Sequence, residues 1–91
     1  MTFPAWDSFD GDGRVKARHV HVYRWCRKNL NFVTVRHEKL LTIEQESGVH
    51  ITQVSRVLDD LVAWGYLTEH QNDDGRERCF TLTWSVQRQV A

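Results

Sequence analysis

Between positions 50 and 56, five side chains have the chemistry to address the edge of a base pair: His50, Thr52, Gln53, Ser55 and Arg56. Four are short hydrogen-bonding groups. The fifth is a guanidinium that can hold two acceptors at once. A second set, Arg76 and Arg78, follows Asp73-Asp74-Gly75 and can pair with phosphate. No nucleophile stands beside a recognisable base and no glycine-rich phosphate loop occurs, so no catalytic role and no cofactor are expected. His19 and His21 with Cys26, or His37 with Glu38, match no zinc spacing, so no metal is expected.

These residues need elements to hold them. Thr42 with Gln45 has the pattern of a capping box opening a short helix, and Gly48 is placed to end it. A second helix is predicted over 51–64, with Val54, Val57, Leu58 and Leu61 as its buried stripe and Gly65 as its stop. Ile43, Gly48, Val49, Val54 and Val57 supply the anchor, turn and lock that a helix-turn-helix requires. Residues 66–70 read as a strand, Asn72–Gly75 as a turn, and Arg78–Trp84 as the returning strand, with Cys79, Phe80, Leu82 and Trp84 available to the core.

Upstream, Val15, His19, Val22, Cys26 and Leu30 mark a helix over 14–30 whose remaining face is basic. Residues 32–41 read two ways: 32–35 as a short strand, or 35–41 as more helix. The expected fold is therefore α+β, a winged helix-turn-helix of three helices and a β-hairpin. Its boundaries are an arm at 1–12, the domain at 13–85 and a tail at 86–91. Phe3, Trp6 and Phe9 recur every third residue, which suits docking of the arm on the body or on a second subunit. Trp25, Trp64 and Trp84 are expected as core and interface bulk.

The segments GVHITQVSRVLDDLVAWGYL and NDDGRERCFTLT together resemble the winged-helix core of the MarR family of bacterial regulators. The wing of that family carries an Asp-x-Arg pattern followed by Leu-Thr, matched here by Asp74-Gly75-Arg76 and Leu82-Thr83. The resemblance implies that Asp74 orients the wing, that Arg76 reaches the minor groove or its phosphates, and that the start of 51–64 enters the major groove. It covers about half of the chain. Glu44 stands where the family has a small residue. Members continue past the wing into long dimerising helices, whereas Thr83 is followed here by eight residues. A dimer would then use the basic helix, the arm or the wing.

The chain has 91 residues, enough for one domain, and a net charge of zero that conceals a dipolar distribution. Residues 13–39 hold eight Lys or Arg against Glu38 alone, while residues 40–91 hold four against eight acids. Arg14, Lys16, Arg18, Arg24, Arg27 and Lys28 make either a solvated helix face or a surface for phosphate or an acidic partner. No segment has the apolar length of a membrane span and no signal-peptide pattern opens the chain, so a reduced cytoplasmic protein is expected. The expected function is sequence-specific double-stranded DNA binding by a small, homodimeric transcriptional regulator. His50, Thr52, Gln53, Ser55 and Arg56 would read bases, and Arg76 and Arg78 would anchor the wing. The alternative is a protein-interaction module or a phage or plasmid replication accessory, with helix 1 or the arm as the contact. RNA binding through the wing is not separable from these readings.

Overall fold

In the computed structural model, residues 3–4, 6, 9–71 and 78–85 are described. Their elements are β1 (Phe3–Pro4), α1 (Ala17–Asn29), β2 (Arg36–Glu38), α2 (Leu40–Ser47), α3 (Ile51–Ala63), β3 (Leu67–His70), β4 (Arg78–Leu82) and β5 (Trp84–Ser85). β4 lies between β2 and β3 in an antiparallel sheet, with Glu69 opposite Phe80 on one side and Arg36 opposite it on the other. Three helices and an antiparallel strand pair in this order form a winged helix-turn-helix. No helix among the described residues is long and apolar enough to cross a membrane.

The α3 stripe is as its periodicity requires: Val54, Val57, Leu58 and Leu61 are fully buried. They pack with Val22, Tyr23 and Cys26 of α1, Ile43 of α2, and Leu67, Phe80 and Leu82 of the sheet. Burying each such aliphatic side chain stabilises the fold by about 1.5–3 kcal/mol before the chain entropy is subtracted. Two glycines stop helices by taking φ > 0, at Gly48 (φ 79°) and Gly65 (φ 87°). After α3, the Gly65 N–H donates to Val62 O and the Tyr66 N–H to Leu61 O. This pair of bonds satisfies the last carbonyls and aims the chain into β3.

Three local expectations are corrected. The first helix starts at Ala17, not Arg14. The Asp12 carboxylate accepts from the Arg14 N–H and holds that residue in a turn, while His19 Nδ1 accepts from the Lys16 N–H at 3.0 Å and sets the helix start. Residues 32–41 fit neither reading. Asn31 Oδ1 accepts from the N–H groups of Val33 and Thr34, which makes a turn, and the strand falls at Arg36–Glu38. The Thr42–Gln45 capping box does not form. α2 begins at Leu40, capped by the extended Lys39 without a side-chain bond.

Before α1, Trp6, Phe9 and Val15 pack with the body. Consecutive turns run from Trp6 to Phe9, Phe9 to Asp12 and Asp12 to Val15. Phe9 enters the core, where its ring meets Tyr23 at 4.4 Å and Tyr66 at 5.1 Å. The Tyr66 hydroxyl donates to Asp12 at 2.7 Å. The same carboxylate pairs with Arg14, and these bonds hold it well below the ordinary carboxylate range. Further out, β1 pairs with β5. The predicted turn at Asn72–Gly75 and the tail at 86–91 lie outside the described residues.

Candidate nucleic-acid interface

The turn between α2 and α3 fixes how α3 is presented. Gly48 closes α2 and Val49 is buried directly after it, so His50 becomes the residue before the first turn of α3. Its ring Nδ1 accepts from the Thr52 N–H at 3.2 Å and lies 2.9 Å from the Thr52 hydroxyl. With Nδ1 accepting, the ring proton lies on Nε2, so this exposed residue keeps a donor. Glu44 Oε2 accepts from the Ile51 N–H at 2.6 Å. The two residues are seven apart in sequence, and no short-range capping pattern signals the bond. Its consequence is electrostatic: a carboxylate occupies the positive end of α3, where a phosphate would otherwise be favoured. Anion contacts on this helix must come from side chains instead.

The helical repeat of 100° per residue places Thr52, Arg56 and Asp59 along the ridge opposite the buried stripe. Thr52 and Arg56 are exposed, and Gln53 and Ser55 flank them half-buried. Arg56 forms no hydrogen bond or ion pair with another described residue. It shares a depression of about 320 Å³ with Arg18 of α1, Asp59 and Asp60. The two acids that would repel phosphate are turned to internal use. Asp60 takes a 2.9 Å bond from His19, whose ring is buried between α1 and α3. Asp59 is bonded by Arg78 at 2.7 Å.

Arg78 is spent inside the fold. Its Nε and Nη2 bond both carboxylate oxygens of Glu69 at 2.9 and 2.8 Å, Nη1 reaches the Ser55 carbonyl, and the guanidinium lies over Phe80. These bonds depress Glu69 and raise Arg78 further above its ordinary range. The residue therefore ties the stem of β3 and β4 to the flank of α3. Asp74 and Arg76 lie outside the described residues.

The basic face of α1 divides. Arg18 borders the depression of Arg56, Asp59 and Asp60, whereas Arg24, Arg27 and Lys28 line a different one with Trp6, Leu30 and Phe32. Arg14 is committed to Asp12 and lies over Trp64. Trp25, as expected, is buried, and its Nε1–H donates to Glu46 at 2.7 Å. Trp84 is not core bulk: it remains 47% exposed, with its ring stacked on Phe32. His19 is buried on Asp60 and Cys26 is buried, its thiol pushed up by desolvation, while His21 is exposed. Among the described residues, no three His, Cys, Asp or Glu side chains converge on one point.

The described residues thus form a winged helix-turn-helix whose α3 ridge is polar and carries Arg56 and Asp59. Comparison of the chain with protein-family models, curated proteins and solved structures returned no match.

Proposed function

We propose that the chain binds double-stranded DNA, with the first half of α3 in the major groove. The observation that carries this reading is the state of Arg56. It is exposed, without an intramolecular partner among the described residues, and follows Thr52 by one helical turn on the same ridge. Gln53 and Ser55 flank that line, and His50 offers a donor at its N-terminal end. Such a set suits hydrogen bonding to base edges. Arg18 extends the cationic surface from α1. The MarR-like wing pattern adds Arg76 as a minor-groove or phosphate contact. Arg78 serves by holding the wing stem, not by touching phosphate. Because Glu44 occupies the start of α3, one protomer offers few phosphate contacts, which favours a homodimer on two half-sites and a role as a small transcriptional regulator.

The test is binding of labelled duplex DNA across a salt series, with oligomeric mass measured alongside. Affinity is expected to fall with salt, and Arg56→Ala to weaken it at least about tenfold at moderate salt, in line with the loss of a base or phosphate contact. An unchanged affinity for a folded Arg56→Ala protein would sink the assignment. The protein-interaction reading draws on one observation: three α1 bases sit beside an aromatic surface and not beside α3. A folded protein that ignores duplex DNA at low salt would favour it.

A further inference from the structure

Three rings run in series beside the basic flank of α1. Trp6 meets Phe32 at 5.4 Å, and Phe32 stacks on Trp84 at 4.1 Å with 22° between ring planes. The ladder ends in an exposed ring, since Trp84 keeps 47% of its surface open. Arg27 lies 4.9 Å over Trp6. Arg24 and Lys28 border the same depression, which is about 550 Å³ and has no acidic side chain among its described lining residues. Arg24 and Lys28 also border a second depression with Glu46, whose Oε1 accepts from Trp25.

We propose that this surface is a second nucleic-acid site, one that takes a single-stranded segment. An unpaired base would stack on Trp84, and the adjoining phosphates would lie along Arg24, Arg27 and Lys28. The charge is complementary: among the described residues this depression is lined by three cations and no acid, so an anionic ligand gains their field. The ring adds a requirement that duplex DNA does not meet. Bases inside a duplex hide their faces in the stack, whereas a single strand can splay one onto an aromatic platform. Arg24 and Lys28 are one turn apart, about 6 Å along the helix axis, comparable with the step between successive phosphates. The ring ladder and cations are brought together by tertiary packing, from residues 6, 24, 27, 28, 32 and 84. This inference stands apart from the α3 reading, because the two surfaces share no residue.

The experiment measures anisotropy of a labelled single-stranded oligonucleotide, DNA and RNA in turn, beside the labelled duplex. Single-strand binding that weakens with salt is expected. Trp84→Ala should weaken it about tenfold, the order of one lost stacking contact, and Trp84→Phe should retain most of it. Arg24→Ala with Lys28→Ala, both at exposed positions, should weaken it and flatten its salt dependence even if the Trp84 variant is poorly folded. Arg56→Ala should leave single-strand binding within twofold, so failure of the duplex reading is visible separately. The proposal is overturned if the single strand does not bind at low salt. It is also overturned if folded Trp84→Ala and Arg24→Ala/Lys28→Ala proteins bind it as the wild type does. Capture of an acidic aromatic peptide by this surface, with no oligonucleotide binding, would assign it to a protein partner instead.

Discussion

The ridge of α3 and the stem of the wing each present one arginine, and the fold uses them in opposite ways. Arg56 extends from α3 with no partner among the described residues. Arg78 reaches two carboxylates and a backbone carbonyl, with only 19% of its side chain exposed. Both would look like phosphate contacts in a motif. What separates them is the neighbouring charge: Glu69 stands across the strand pair and Asp59 on the facing flank of α3, so Arg78 meets carboxylates before any ligand arrives. Asp59 is thereby held on Arg78, less than one helical turn from Arg56. One arginine organises the acids and the other stays available.

The sharpest way to break this contrast is Arg78→Ala. It strips two carboxylates of a shared hydrogen-bonded cation, and the partly exposed cluster should cost about 1–2 kcal/mol of stability by denaturant titration. Its DNA affinity should fall only through the loosened stem. Arg56→Ala should show the mirror image, with stability within about 0.5 kcal/mol of wild type, as for other exposed substitutions. If both variants lost stability equally, Arg56 would be structural and the contrast would vanish.

A smaller effect tests how α3 is presented. Glu44→Ala frees the Ile51 N–H and should cost about 1 kcal/mol, the order of a lost helix cap. It also removes a negative charge from the start of α3, so DNA affinity should rise or hold while stability falls. A loss of affinity beyond the loss of fold would show that Glu44 positions the helix for its ligand.

The smallest effect lies in pH. Arg14 and then Tyr66 hold Asp12 below its ordinary range, and Arg78 holds Glu69 below its own. A carboxyl that is depressed in the folded state binds fewer protons than in the unfolded chain. Its stabilisation is therefore complete at neutral pH and fades as pH falls below about 5, through the ordinary carboxylate values and on toward the depressed ones. Asp12→Asn should flatten part of that acid-side loss in a series of melts. An unaltered profile would show that Asp12 contributes no such linkage.

The parts of the fold that follow local rules were legible in the chain. α3 needs only apolar residues at helical intervals, and its two glycine stops need only a residue that tolerates φ > 0. β2 gave no such signal. It has three residues, and its strand identity comes from pairing with β4, about forty positions later. The α1 start was equally hidden, because a histidine three residues into the helix and an aspartate in the preceding turn decide it.

The candidate site divides along the same line. Sequence alone determined the outer ridge of Thr52 and Arg56 with Gln53 and Ser55 on its flanks, since a buried stripe on a regular helix fixes the opposite side. Tertiary structure alone decided which charges are engaged: Arg78 by Glu69 and Asp59, Asp60 by His19, and Glu44 by the Ile51 N–H. It also brought Trp6, Phe32 and Trp84 into one ladder. The physical reason is range. Backbone periodicity acts over a few residues, whereas an ion pair or a ring stack depends on distance in space, and only the folded chain sets that.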